Sequence, residues 1–443
     1  MVGLGNGFYN EETIVDWAYD KADWRDRPKL LCQVYVKFTN GTDTLIVSDT
    51  SWQVHPSQVI RNSIFAGEMH DYSIDYSQHN QANMRNKAIL APAPVGRLKS
   101  QIMPLEILAD TFRPASVART SRGPIIIDAG INLSGRLKIN FDQTQGDTIE
   151  IRYGEMLMAD GSVDQSNINR NTLDNIQTDV VIFSDSGQIA WEPKYVYHGF
   201  QYAEIRGYKG WLTTNDAEVR FIHTNLKRTG QFTCSNNMIN KLQKATIQSY
   251  LSNYHGYPTD CPQREKNGWT ADAHLAARTG LYNFNMNQAF EKWMGDIKDA
   301  QLADGKLPGI VPTSGWGYQI YHEITDPMGP AWDAAYTLIP WYTYLYTGNT
   351  HILKEHYEGM KKHAEYIRLK SPEHIAKYGL SDWAHYKTPT HWEVTSTYYY
   401  ALIVSTLHKI ATVLDQPEDA KAYGTLYGNI KDAFNKNSLM PIA

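Results

Sequence analysis

Near residue 230 the apolar residues stop recurring at every second position and start recurring at every third or fourth, and they do not change back. A chain patterned this way folds as strands first and helices second, since a parallel α/β sheet would need the two to alternate. In the first half, Leu31 to Phe38 (LCQVYVKF) and Leu45 to Val47 flank Asn40-Gly41, which is a hairpin signal. Further short strands are predicted at Pro124 to Asp128, Leu137 to Phe141, Thr148 to Tyr153, Asp179 to Phe183, Tyr202 to Ile205 and Val219 to His223. Turn residues such as Gly146-Asp147 and Asp160-Gly161 separate most of them, and the spacing predicts antiparallel β-sandwich domains. The proline-marked stretch from about 90 to 117 (Pro92, Pro94, Pro104, Pro114) reads as a connector between two sandwiches. Gly3, Gly5 and Gly7, followed by Phe8 and Tyr9, read as the end of a strand whose partners lie upstream.

In the second half, Ser235-Asn236-Asn237 is a helix start signal ahead of Met238 to Tyr250. Helices are also predicted at Ala271 to Tyr282, Met286 to Leu302, Ala331 to Tyr346, Ile352 to Leu369, Ser396 to Leu414 and Pro417 to Asn435. Consecutive helices without strands between them pack on one another. The domain boundaries this predicts are 1–105 and 106–228 for the sandwiches and 229–443 for the helices.

A net charge of −5 without a basic excess argues against a nucleic-acid partner. No apolar run approaches a membrane span. The three cysteines, Cys32, Cys234 and Cys261, have neither disulfide-framework nor zinc-site spacing. The first residues, MVGLGNGFYNEETI, lack the basic-then-apolar pattern of a leader peptide. The 29 Tyr and 12 Trp suit a sugar-lining cleft, where a ring face stacks on a pyranose; composition alone favours the plainer use, filling sandwich cores.

The most unusual segment is GYPTDCPQREKNGWTADAH, Gly256 to His274, a polar loop running into a helix. It gathers Asp260, Arg264, Glu265, Trp269 and Asp272. A carboxylic acid with a raised pKa can protonate a glycosidic oxygen, a guanidinium can hold hydroxyls or orient a carboxylate, and an indole can stack on a sugar ring. The competing reading, a helix-capping loop whose charges pair with each other, stands level on spacing alone. His274 and His322 read as structural histidines rather than metal ligands. Trp316 is balanced between lining a cleft mouth and packing a loop, and Tyr398-Tyr399-Tyr400 reads as helix packing.

The run DCPQREKNGWTADAH resembles the signature of bacterial α-L-rhamnosidases, in which Asp-Cys-Pro-Gln-Arg precedes acidic residues and Gly-Trp-Thr-Gly-Asp-Ala. The likeness continues in WAYDKADWRDRPKLL from Trp17, Ser51-Trp52, DAGINLSG from Asp128 and WEPKYVYHGFQY from Trp191. It reappears in GKLPGIVPTSGWG from Gly305, in Ala331-Trp332-Asp333 and in Ser381-Asp382-Trp383. The resemblance implies β-sandwich domains followed by an (α/α)6 barrel, here incomplete. It implies hydrolysis of terminal α-L-rhamnosyl groups with inversion, no organic cofactor, and a periplasmic or secreted parent protein. A structural calcium is not readable from the sequence. Residue by residue, Glu265 falls on the general acid. Asp260, Arg264 and Asp272 fall on polar groups of the rhamnose site, and Trp269, Trp332 and Trp383 on its aromatic lining; Asp333, beside Trp332, reads as a ligand to sugar or loop. Two departures are a loop one residue shorter than in many members, with Glu265 as its single acid between Arg264 and Gly268, and Ala271 in place of the usual Gly.

Inversion needs a second carboxyl as base. The family places it in a Thr-Thr-Leu-Trp-Glu-like segment that this chain does not contain, and Asp333, Asp382 and Glu393 are weak substitutes. A barrel cut at about seven helices would expose apolar inner faces, at about 25 cal/mol per Å² left in water. That predicts an unstable, oligomeric or inactive fragment unless a partner supplies the remainder. The alternative function is a non-catalytic carbohydrate-binding fragment.

Overall fold

A computed structural model describes residues 1–74, 86–93, 96–143, 147–169, 176–184, 187–318, 328–380, 382–383, 385–387 and 390–438. His322, Ser381 and the last five residues lie outside this set. The chain divides into a β-rich unit, residues 1–100 and 108–222, and a helical unit, residues 101–107 and 223–443.

The β-rich unit is built on a ten-stranded sheet. Its main path runs Val59–Ser63, Gly67–Asp71, Thr178–Ile182, Thr148–Gly154, His198–Arg206, Ile125–Gln143, Ala217–Thr224 and Glu106–Phe112; Ser116–Arg119 and Gly187–Trp191 also pair with Ile125–Gln143. The alternation that predicted these strands is what buries them: Ile149, Ile151 and Tyr153 face inward and are sealed from solvent. The predicted strands at Pro124 and Leu137 are one strand of 19 residues. Gly130, with φ of 80°, lets it continue past what reads as a turn, and its partner shifts register between Phe200 and Tyr202. One strand, Glu106–Phe112, lies inside the expected connector, and another, Ser116–Arg119, overlaps its end. They fit between the prolines, and the first, largely exposed at the end of the path, needs little apolar content. Gly3 to Tyr9 is not a strand. The hairpin predicted at Asn40-Gly41 pairs Gln33–Lys37 with Asp43–Val47, Tyr35 opposite Leu45.

Gly67–Asp71 lies parallel beside Thr178–Ile182. Buried charges fix this pairing. Asp179 accepts the Glu68 N–H at 2.7 Å and meets His198 Nε2 at 2.9 Å; Glu68 accepts the Lys194 and Tyr195 N–H groups and meets His70 Nε2 at 2.6 Å. A slip of one residue would strand these carboxylates without partners.

The helical unit contains α1 (Asn237–Ser252), α2 (Thr270–Asn283), α3 (Asn287–Ala300), α4 (Pro330–Asp333), α5 (Ala335–Thr347), α6 (Thr350–Lys370), α7 (Trp392–Val413) and α8 (Pro417–Ser438). Asn236 caps α1, accepting from the Met238 and Ile239 amides, and Asn349 caps α6 in the same way. The helix predicted from Ala331 to Tyr346 breaks in two, α4 being a single turn. α2, α5 and α7 form one layer, with α4 lying on α2 and α7; α1, α3, α6 and α8 back it. The core between the layers includes Trp293, Met294, Ile339, Ile352, Met360, Tyr400 and Leu407. The layer of α2, α5 and α7 leaves Leu275, Tyr282, Leu345 and Tyr398 exposed. Among the described residues, no helix is long and apolar enough to cross a membrane.

Candidate active site

The loop from Gly256 to Trp269 joins α1 to α2 and is tied down along its length. Tyr257 donates its hydroxyl to the Lys266 carbonyl at 2.9 Å. The Asp260 amide donates to the Asn267 carbonyl at 3.0 Å, and the Asn267 amide returns a bond to Asp260 Oδ1 at 3.1 Å. The loop is then zipped to a segment some forty residues onward: Val311 N–H to Gly268 O at 2.9 Å, Thr270 N–H to Gly309 O at 2.9 Å. At Gly268 a β-carbon would lie 1.9 Å from the Val311 carbonyl oxygen, so only glycine allows this approach.

This framework brings the motif's functional groups together. Glu265 is the centre: Trp269 donates its indole N–H to Oε2 at 2.7 Å, and Arg264 Nη2 lies 3.0 Å from Oε1. The Glu265 amide donates to Cys261 Sγ at 3.3 Å. Burial first, and then the charge of Glu265, holds the Asp260 carboxyl well above its ordinary range. Asp272 stands in the first turn of α2 and is exposed to solvent. Crowding by protein atoms raises its pKa as well, against its own backbone N–H, which favours the carboxylate, and the charge of Glu265 adds to the rise. Burial and the charge of Asp260 push the Cys261 thiol up. Ligand atoms of Asp260, Cys261 and Glu265 lie within 4.8 Å of one another, which could suit a cation. Arg264 on Glu265, with Asp260 and Cys261 biased toward their protonated forms, gives this cluster a charge balance of its own.

Aromatic groups flank the carboxyls. Trp332 packs with Ala271, Met328 and Ala331, and Trp269, Trp316 and Tyr399 lie against this cluster. The Trp269 and Trp316 rings meet edge to face, centroids 5.7 Å apart, so Trp316 serves as packing for the site's indole. Two other predicted site residues are placed apart. Asp333 turns inward: its carboxyl is 1% exposed, faces His363 on α6 at 3.5 Å, and is raised by burial despite that histidine. Trp383 is 68% exposed and stands outside the aromatic cluster. Three contributors were not among the predicted site residues, although His274 was read as structural. Cys261 was visible in the motif but was counted only for disulfides and zinc. His274 donates from Nε2 to the Ala331 carbonyl at 2.7 Å, and His363 meets Asp333; neither contact has a signal in local sequence. A groove of about 450 Å³, lined in part by Phe232, Gln243 and Tyr282, opens at the far end of α2 and contains none of the motif's residues.

Comparison with known proteins bears on all three parts of the chain. Residues 227–441 match the bacterial alpha-L-rhamnosidase 6 hairpin glycosidase domain, residues 118–223 the bacterial alpha-L-rhamnosidase concanavalin-like domain, and residues 1–108 the alpha-L-rhamnosidase N-terminal domain. An alpha-L-rhamnosidase of Formosa agariphila is 28% identical over 470 residues, covering 99% of this chain and 48% of the relative. The solved alpha-L-rhamnosidase of Dictyoglumus thermophilum superposes with a TM-score of 0.87 at 37% identity, over 98% of this chain and 48% of that one. The Streptomyces avermitilis alpha-L-rhamnosidase complexed with L-rhamnose shares the fold, with a TM-score of 0.87 at 24% identity over 97% of this chain and 41% of that one. The chain thus spans about half the length of the relatives it matches.

Proposed function

The chain belongs to the family of bacterial α-L-rhamnosidases, and from that membership we propose that its helical unit carries the acid side of an inverting hydrolase acting on terminal α-L-rhamnosyl groups. Glu265 protonates the departing glycosidic oxygen. Arg264, Asp260 and Asp272 hold the sugar hydroxyls, and Trp269 and Trp332 flank the ring. The observation that carries this reading is the seating of Glu265, whose two oxygens are held by the Trp269 indole N–H at 2.7 Å and by Arg264 at 3.0 Å. A catalytic carboxyl gripped on both oxygens has one orientation to offer an incoming oxygen. Asp260 and Asp272, whose pKa values are raised, keep their protons to higher pH than free aspartates, which limits the negative charge around Glu265.

Inversion places acid and base about 6.5–9.5 Å apart, with a water between base and anomeric carbon. Asp260, with an oxygen within 4.8 Å of Glu265, is too close to leave that space. We therefore assign the base outside this loop. Hydrolysis of p-nitrophenyl α-L-rhamnoside is the test. Glu265→Gln should lower turnover by about 10²–10⁴-fold, the usual contribution of a general acid. Unchanged turnover in that variant would remove Glu265 from the mechanism. Rhamnose binding without any turnover would favour a carbohydrate-binding role.

A further inference from the structure

Trp332 sits on α4, a helix of one turn. A single turn cannot hold its own conformation, because helix nucleation is unfavourable without neighbours. The orientation of this indole is therefore set by tertiary anchors, and two polar ones are present. His274 of α2 donates to the Ala331 carbonyl at 2.7 Å. The Asp333 carboxyl faces His363 Nε2 of α6 at 3.5 Å, an ion-pair separation longer than a direct hydrogen bond. Both side chains of this second pair are at most 1% exposed. Burying two such groups is expensive, and an apolar pair of similar volume would pack at no such cost. Neither residue touches Glu265 or its loop through any contact described above, yet Asp333 is the immediate neighbour of Trp332.

We propose that His363 is a positioning residue: through Asp333 it fixes the rotation of α4 and hence the placement of the Trp332 indole beside Ala271, Trp269 and Trp316. The role rests on the reading of Trp332 as a wall of the sugar site, and it reassigns Asp333 from sugar contact to support. His363 and Asp333 link the backing helix α6 to the site through α4, as His274 links α2. Two anchors from different helices, α2 and α6, restrain a one-turn helix that joins α5 only through Ala334.

The test uses the whole 443-residue chain labelled with 5-fluorotryptophan, with the Trp332 resonance assigned by Trp332→Phe. In sugar-free protein, His363→Leu should shift or broaden the Trp332 signal and leave that of Trp191, in the β-rich unit, unmoved. His363→Gln, whose amide can still reach Asp333, should restore the wild-type Trp332 signal. Should His363→Leu fail to fold, Asp333→Asn, which keeps the volume, replaces it and should move the same signal. A Trp332 resonance that overlays the wild type in the perturbing variant, or one that glutamine does not restore, overturns the proposal. Titration with L-rhamnose then probes function, with apparent affinity expected to fall by about fivefold in His363→Leu and to recover in His363→Gln, the scale of a loosened binding contact. If L-rhamnose moves neither the Trp332 nor the Trp269 signal of the wild type, the sugar-site reading fails, while the sugar-free comparison still decides the role of His363.

Discussion

Acidification from about pH 7.5 to about pH 5 should destabilise the helical unit by ~2 kcal/mol through His274 alone. This histidine is 4% exposed, and burial pulls its pKa down to about 4, against the Ala331 carbonyl, which favours the charged ring. In the unfolded chain the imidazole titrates near its ordinary value, about 6.5. The folded pKa lies below the unfolded one, so at intermediate pH the unfolded state binds the extra proton. Stability is therefore complete above the unfolded value and is lost as pH falls from there toward the folded value. At about pH 5 the unfolded ring is almost wholly protonated and the folded ring about one-tenth so, which gives the ~2 kcal/mol. His356 is likewise pulled down to about 4, chiefly by burial, and adds a loss in the same direction, so wild-type acid sensitivity alone does not isolate His274. His274→Gln does, because its amide can still donate to the Ala331 carbonyl while the titrating group is gone. Urea unfolding followed by helical circular dichroism at both pH values gives the double difference. A chain of two units need not unfold in one step, so the helical signal is the one to follow. The variant should lose ~2 kcal/mol less than wild type between the two pH values. Equal losses in both proteins would refute the assignment of a buried, neutral His274.

Two further outcomes are expected. Gly268→Ala places a methyl against the Val311 carbonyl, 1.9 Å from it before relaxation, and should lower stability by about 1–3 kcal/mol, with a fall in the melting temperature of the helical signal. Asp179→Asn removes the charge facing His198 and should cost the β-rich unit about 3 kcal/mol at neutral pH, measured by denaturant unfolding. Asp179 has a lowered pKa in the fold, where His198 and hydrogen bonds outweigh burial. Its contribution is thus full above the unfolded value near 3.9 and fades as pH falls through the lower folded value, so the variant should lack that acid-limb loss.

What the sequence determined by itself was whatever depends on neighbours within a few residues. The change of apolar period near residue 230 separated strands from helices, Asn236 marked the start of α1, and Asn40-Gly41 marked a hairpin. The motif residues Arg264, Glu265 and Trp269 were legible as a group because four to five positions in one loop keep them close in any fold. Tertiary structure alone decided where the more distant side chains went. Asp333 and Trp383 have the residue types of a sugar site, yet one turns inward to His363 and the other stays in solvent. The same holds for the zipper between Gly268 and Val311, and for the parallel pairing that Glu68 and Asp179 fix. A side chain's local pattern states its polarity and its face of a helix or strand. Which remote group meets it there is set by packing between elements tens of residues apart, and that information is spread over the whole chain.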